Sequence, residues 1–487
     1  MKVRKVLIAG GGISGLSSAF YAKQLLGKHG IPAEITIVEE ANKPGGKIQT
    51  IRRDGFVIER GPDSFLARKL PILELARELG LEGELAGTNP AARKTFILHR
   101  GKLHSMPAGL VLGIPTQLMP FIKTGLVSLK GKARAAMDLF LPKRREQGDE
   151  SLGDFLQRRL GKEVLEHIAE PLLAGIYAGD THSLSLRSTF PQFQELERRY
   201  RSIMLGMLKS RGRSNPDGQS PKLRPEISNS MFLTFRNGLQ TLVEALVESM
   251  APHQILTDTR IVSIRKSEGK EKYAAVLSDG RELEVDAVIV ALPAFAAADV
   301  LRSFSAAEAL REIPYVSVAN VILAFEKEQI HYPLDGSGFV IPRSEGRLLT
   351  ACTWTSAKWL HTAPEGKAVL RCYIGRSGDE LSEDMDDEQL LSKVRAEIRE
   401  IMNIEAEPLF AEVTRWKQSM PQYPVGHLER LGRVREALEC EAPGIVLTGS
   451  GYEGVGLPDC IRQGKDAAIA AVDRLLKRNA PEQPAVR

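Results

Sequence analysis

The fold is decided by VLIAGGGISGLSSAFYAKQLLGKHGIPAEITIVEE, residues Val6 to Glu40. VLIA (Val6–Ala9) is a short apolar run that stops at glycine, the pattern of a strand buried on both faces. Apolar residues then recur at Ile13, Leu16, Ala19, Phe20 and Leu26, which is helical spacing. EITIVEE (Glu34–Glu40) reads as a second strand. Strand, glycine turn, helix and strand in this order predict the opening of a dinucleotide-binding fold.

The glycines have separate tasks. Gly10 permits the tight turn, Gly12 lets backbone approach a pyrophosphate, and Gly15 lets helix and strand pack closely. Gly11, Ile13 and Ser14 complete the loop, and the N-terminus of the helix faces the phosphates. Glu39 closes the next strand, where a carboxylate accepts from ribose hydroxyls, with Glu40 beside it. These residues alone leave the cofactor as NAD or FAD.

A second glycine cluster, TGSGYEGVGLPDCIRQG (Thr448–Gly464), lies near the other end. It follows the strand-like GIVL and opens an amphipathic helix marked by Ile461, Ala468, Ile469, Val472 and Leu475. Pro458 suits the first turn of that helix, where a missing N–H costs little.

Between the two clusters the chain reads as strands at Gln254–Arg265, Tyr273–Ser278 and Asp286–Leu292, then as SVANVILAF in a mixed region. The segment Pro107–Arg145 is apolar and basic, with almost no acids, and leads into a helical stretch. Lys209–Ser230 is polar and rich in Ser, Pro, Gly, Arg and Lys, and reads as a mobile loop.

The chain has 487 residues, enough for two or three domains. A formal charge of +5 is too small to argue for nucleic acid, but suits an anionic ligand or an anionic surface where the charges cluster. Four dispersed cysteines and nine histidines without metal-ligand spacing predict no disulfide framework and no metal site, in a reducing compartment. The N-terminal apolar run is too short for a signal peptide, and no run is long enough for a transmembrane helix.

Lys43-Pro-Gly45-Gly46-Lys47, directly after the ribose acid, resembles the second signature of the flavin amine oxidase superfamily. A closer resemblance covers essentially the whole chain. ERGPDSF (Glu59–Phe65), EPLLAGIYAGD (Glu170–Asp180), STFPQF (Ser188–Phe193), TRWKQSMPQY (Thr414–Tyr423) and the C-terminal glycine turn are similar to the porphyrinogen oxidases of heme synthesis. Within that family the sequence is most similar to the bacterial branch that oxidises coproporphyrinogen III to coproporphyrin III.

The resemblance implies FAD, molecular oxygen as acceptor and hydrogen peroxide as by-product. Six electrons leave in three steps, each moving a hydride from a bridge carbon to the flavin and a proton from a pyrrole N–H. The cofactor carries that step, so no catalytic acid or base is nominated. The glycine loop and Glu39–Glu40 would hold the adenosine half, and Val262 would meet adenine through its backbone. Lys47, Gly61, Pro62, Asp63 and Ser64 would line the phosphate and flavin region, and Trp416, Val455, Gly456 and Leu457 would sit by the ring. The N-terminus of the last helix would face the flavin's pyrimidine edge.

Coproporphyrinogen carries four propionates, and cations at a pocket mouth recognise carboxylates. Arg68 and Lys69 are the candidate pair, while Gly175, Ile176 and Tyr177 would wall the flavin face. The implied class is α/β, α+β overall. A Rossmann-like FAD-binding domain takes residues 1–87, 231–296 and 410–487, a mixed-sheet substrate domain takes 88–106 and 297–409, and a helical lobe takes 107–230. A cytoplasmic location is expected, and the basic lobe leaves peripheral membrane contact and contact with other heme-synthesis enzymes open. Rival readings are a protoporphyrinogen IX oxidase, another amine oxidase or a desaturase.

Overall fold

The centre of the molecule is a five-stranded, all-parallel sheet. A computed structural model describes residues 3–146, 148–210, 223–268, 271–379 and 384–477. The strand order is Gln254–Leu256, Ala33–Val38, Arg4–Ala9, Ala287–Val290, Ile445–Leu447. Val6 stands opposite Ile35 on one side and Ala287 on the other. Alternation divides the central strand between two cores: Val6 and Ile8 join one, Leu7 and Ala9 the other. Burying each of Val6, Leu7 and Ile8 contributes roughly 1.5–3 kcal/mol.

The first face is covered by the helices Ile13–Lys28 and Leu457–Lys477, one from each end of the chain. A Cβ on Gly464 of the second helix would lie 2.7 Å from the Ser14 carbonyl oxygen and 3.1 Å from Ser17 Cβ of the first. The second face carries the antiparallel sheet Ile261–Lys266, Tyr273–Leu277, Glu282–Val285 and the helix His427–Glu441. The expected single strand Gln254–Arg265 is thus two strands in two sheets. The chain breaks at Asp258, whose φ of 50° is tolerated by a short polar side chain.

A mixed seven-stranded sheet lies beside this unit, in the order Phe410–Pro421, Tyr315–Glu326, Lys367–Ile374, Leu349–Trp354, Gly336–Val340, Lys94–His99, Lys102–Ser105. All its pairs are antiparallel except Gly336–Val340 with Lys94–His99. The domain reading put residues 410–421 with the cofactor unit, but this strand pairs with Tyr315–Glu326 through Ala324↔Phe410 to Tyr315↔Pro421. Hydrogen bonding decides its membership, and sequence position does not.

The third part is helical and has its own core, including Phe155, Leu156, Ile168 and Phe193. Arg159, wholly buried, anchors it through Asp138, whose second oxygen accepts from Met204 N at 3.0 Å. The helix Ile203–Ser210 carries through Lys209, where the loop was expected to begin. Of that expected loop, residues 211–222 lie outside the described residues. Among the described residues no helix is long and apolar enough to cross a membrane.

The close contact of the two terminal helices is testable. Gly464→Ala is expected to destabilise by about 1–3 kcal/mol, because the methyl group meets backbone that cannot move aside. Gly27→Ala, where a Cβ meets nothing within 4 Å, is expected to stabilise by about 0.5–1 kcal/mol. Urea unfolding measures both, and equal shifts would remove the contact as a constraint.

Candidate functional site

The first glycine turn lies at the carboxyl end of the central strand, where the strand order reverses. Gly10 has φ +101°, and a Cβ there would stand 2.9 Å from the Ala291 carbonyl oxygen. Gly15 packs on Gly10 itself, with its would-be Cβ 1.9 Å from the Gly10 oxygen. Gly12 differs: a Cβ there would meet nothing within 4 Å. The helix after it has no side-chain cap and no acid in its first turn. Gly12 therefore leaves space beside the partial positive charge of the helix N-terminus, a cradle that fits the pyrophosphate of a dinucleotide.

Glu39 is fastened by both oxygens, accepting from Gly11 N at 2.7 Å and Ala41 N at 2.9 Å. The remaining lone pairs suit ribose hydroxyls. Glu40 is exposed. Asp258 N and Thr259 N donate to the carbonyls of Ala41 and Glu39, which brings the next strand to the same place. Val262 stands on that strand at the irregularity between Ile261 and Ser263, and its carbonyl accepts from Arg302 Nη1 at 2.8 Å.

The second glycine pair lies on the first. Gly45 N donates to Gly11 O at 2.9 Å, and a Cβ on Gly46 would lie 3.3 Å from Gly12 Cα. Lys47 reaches across to donate to the Ser419 carbonyl, and burial lowers its ammonium to about 8. Gly61 in turn presses on Lys47, since its Cβ would fall 1.7 Å from the Lys47 oxygen.

The loop Arg60–Ser64 is held from the seven-stranded sheet. Asn320 Nδ2 and Trp416 Nε1 donate to Arg60 O at 2.6 and 2.8 Å, and Arg371 donates to Gly61 O. Trp416 is half-buried against Gly61, so it belongs to this junction and not to a core. Asp63 follows Pro62 with Ser64 donating to it at 2.7 Å. Burial works against its charge, but Lys358 at 3.8 Å and Arg371 at 4.0 Å hold its carboxyl below the ordinary range. Glu59, one residue before the loop, is pushed up to about 7 by burial, partly offset by the Leu239 N–H and Thr50 hydroxyl.

The C-terminal turn is braced by two residues from the segment after TRWKQSMP. Tyr423 Oη donates to Ser450 O at 2.5 Å and accepts from Gly454 N at 3.0 Å. The His427 ring stacks on Tyr423 with centroids 4.3 Å apart and donates from Nε2 to Tyr452 O at 2.9 Å. Val455, Gly456 and Leu457 are half-buried at the mouth of this turn. Thr448 Oγ1, at its start, is buried with no hydrogen-bond partner among the described residues.

Tyr177 turns into the helical core and meets Tyr423 edge-on at 5.6 Å. Gly175 and Ile176 stay exposed, so they and not Tyr177 present a free wall. Arg68 is exposed, whereas Lys69 pairs with Asp459 at 2.8 Å.

Reading the sequence missed Arg371, Asn320, Lys358, Tyr423, His427 and Asp459. A usable signal existed for two: Asn320 in SVANVILAF and Arg371 in AVLRCYI each interrupt an otherwise apolar strand.

Residues 13–472 match the family model described as flavin containing amine oxidoreductase. The chain is 46% identical over 472 residues to a coproporphyrinogen III oxidase of Bacillus subtilis (strain 168), covering 97% of this chain and 98% of that one. It is 39% identical over 475 residues to a coproporphyrinogen III oxidase of Staphylococcus aureus (strain NCTC 8325 / PS 47), covering 97% and 100%. A crystal structure from Exiguobacterium sp. 255-15, assigned as a protoporphyrinogen oxidase, superposes with a TM-score of 0.85 at 35% identity, covering 98% and 100%.

His427 gives the braced turn a pH signature. Burial lowers its pKa to about 4 from an ordinary 6.5, so the folded state resists protonation that the unfolded chain accepts. Its contribution is present above pH 6.5 and is lost as pH falls toward 4. At pH 5 the loss is on the order of 2 kcal/mol. Urea unfolding at pH 7 and pH 5 is expected to give a smaller loss for His427→Asn than for the native chain; parallel losses would show that His427 does not set it.

Proposed function

This chain belongs to the flavin-containing amine oxidoreductases, and on that premise we propose that it is a coproporphyrinogen III oxidase. The bound cofactor is FAD, the acceptor is molecular oxygen, and the reaction yields coproporphyrin III and hydrogen peroxide. The observation that carries this reading is the packing of the two glycine-led helices on each other at Gly464 and Ser14: an open cradle at Gly12 and a braced turn at Val455–Leu457 would then bracket an elongated dinucleotide. The full-length likeness to proteins named coproporphyrinogen III oxidase supports the substrate.

Bound flavin supplies the two-electron acceptor. The chain's residues do the rest by position. Gly10–Gly15 and Glu39 hold the adenosine half, with Glu40 and the Val262 backbone at its edge. Lys47 and Gly61–Ser64 fix the middle, and Trp416 with Val455–Leu457 flank the ring. Gly175 and Ile176 leave the face open for a flat macrocycle, Tyr177 supports that wall from behind, and Arg68 and Lys69 offer cations to propionates. Asp63 is engaged by Lys358 and Arg371, so it orders the loop and does not act as a base.

The chain divides into a discontinuous cofactor unit, a sheet unit for substrate and a helical lobe. On the lobe, exposed Leu118, Met119, Leu129 and Phe140 alternate with Lys123, Lys130 and Lys132, a pattern that suits an anionic membrane surface. Cytoplasmic porphyrinogen would reach the site there.

Turnover of coproporphyrinogen III and protoporphyrinogen IX, followed by porphyrin fluorescence, is expected to give a kcat/KM at least several-fold higher for the four-propionate substrate. Equal or reversed preference would favour protoporphyrinogen IX, the assignment carried by the Exiguobacterium relative. The flavin is expected to be non-covalent. Tyr452 and Glu453 occupy the turn, and Cys460 is buried beneath it with its thiol pushed up to about 11 by burial and by Asp459. Acid precipitation should leave the yellow colour in the supernatant; colour retained in the pellet would contradict this.

A further inference from the structure

Lys69 does not project freely. Its ammonium lies 2.8 Å from Oδ1 of Asp459, which comes from the first turn of the last helix, 390 residues along the chain. The C-terminal turn is shaped around this carboxylate. A Cβ on Gly454 would lie 2.8 Å from Asp459 Cβ, and one on Gly456 would lie 3.0 Å from Asp459 Oδ2. Its charge also reaches Tyr177, whose hydroxyl, already raised by burial, is raised further by it. Asp459 therefore stands where the C-terminal turn and the basic residue meet. The two charged side chains are 42% and 25% exposed, so solutes reach both. A pair this accessible contributes little to fold stability and exchanges readily.

We propose that Asp459 is a resident competitor for Lys69 that sets carboxylate specificity. It neutralises the ammonium while the site is free and yields it to a propionate of the incoming porphyrinogen. The inference rests on reading Lys69 as a substrate-binding cation. Two carboxylates on one ammonium stand close enough to repel each other, so exchange wins over addition. A ligand without a carboxylate at this point meets a neutral pair and gains nothing from Lys69. Selection against such ligands thus comes from a built-in rival as well as from an attraction.

The test is binding of coproporphyrin III to the flavin-loaded protein, read by porphyrin fluorescence, with the tetramethyl ester as the uncharged control. Asp459→Asn is expected to tighten Kd for the acid about 5–10-fold and to leave the ester within twofold. Lys69→Met is expected to weaken the acid at least tenfold, and Asp459→Asn added to it is expected to change nothing further. Asp459→Ser serves as a second variant should Asn disturb the turn, and flavin absorbance checks that the cofactor stays. If Lys69→Met weakens binding but both Asp459 variants weaken it too or leave it unchanged, the competitor role is overturned. If Lys69→Met itself has no effect, the reading of Lys69 fails, and the proposal falls with it.

Discussion

The cofactor unit depends on backbone lying against backbone with no room for side chains. Gly15 rests on the Gly10 carbonyl, Gly45 bonds to Gly11, and Gly61 rests on the Lys47 carbonyl. Three segments of chain are stacked in this way at the end of one strand. Each contact fixes the next, because a shift of any layer by a methyl's width would separate the others. The last helix obeys the same rule where Gly464 meets Ser14. Within the first glycine turn Gly12 differs, since a Cβ there would meet nothing within 4 Å.

Electrostatics join the parallel-sheet unit to the seven-stranded sheet. The carbonyls of the loop Arg60–Ser64 take bonds from Asn320, Arg371 and Trp416 on three strands of that sheet. Asp63 is kept charged in a buried place by two cations, also from the sheet region. Removing one partner would leave a charge without compensation, which is far more harmful than losing the pair. The loop is therefore ordered from outside.

The strand–helix–strand opening was legible because local signals agreed: an apolar run, glycines at fixed offsets and helical periodicity. The C-terminal turn was legible for the same reason. Position along the chain misled where pairing decides: 410–421 sits near the cofactor segments in sequence but bonds to Tyr315–Glu326. A turn at a non-glycine residue, Asp258, gave no warning that one apparent strand was two. Long-range partners stayed hidden for a further reason. Tyr423, His427 and Asp459 act through contacts with Ser450, Tyr452 and Lys69, and nothing in a local window names the partner. Asn320 and Arg371 were findable as polar residues inside apolar strands, though not the loop that they hold.

The parallel sheet also imposes an order of events during synthesis. Its central strand, Arg4–Ala9, is made well before its outermost strand on one side, Ile445–Leu447. At roughly 5–20 residues per second, a ribosome needs about 20 seconds to a minute and a half between them. Throughout that interval the inner faces of Arg4–Ala9 and Ile13–Lys28 lack the helix Leu457–Lys477 that covers them. The nascent chain therefore carries an uncovered apolar surface throughout that interval, and a chaperone that shields it until that helix is made has a defined client segment.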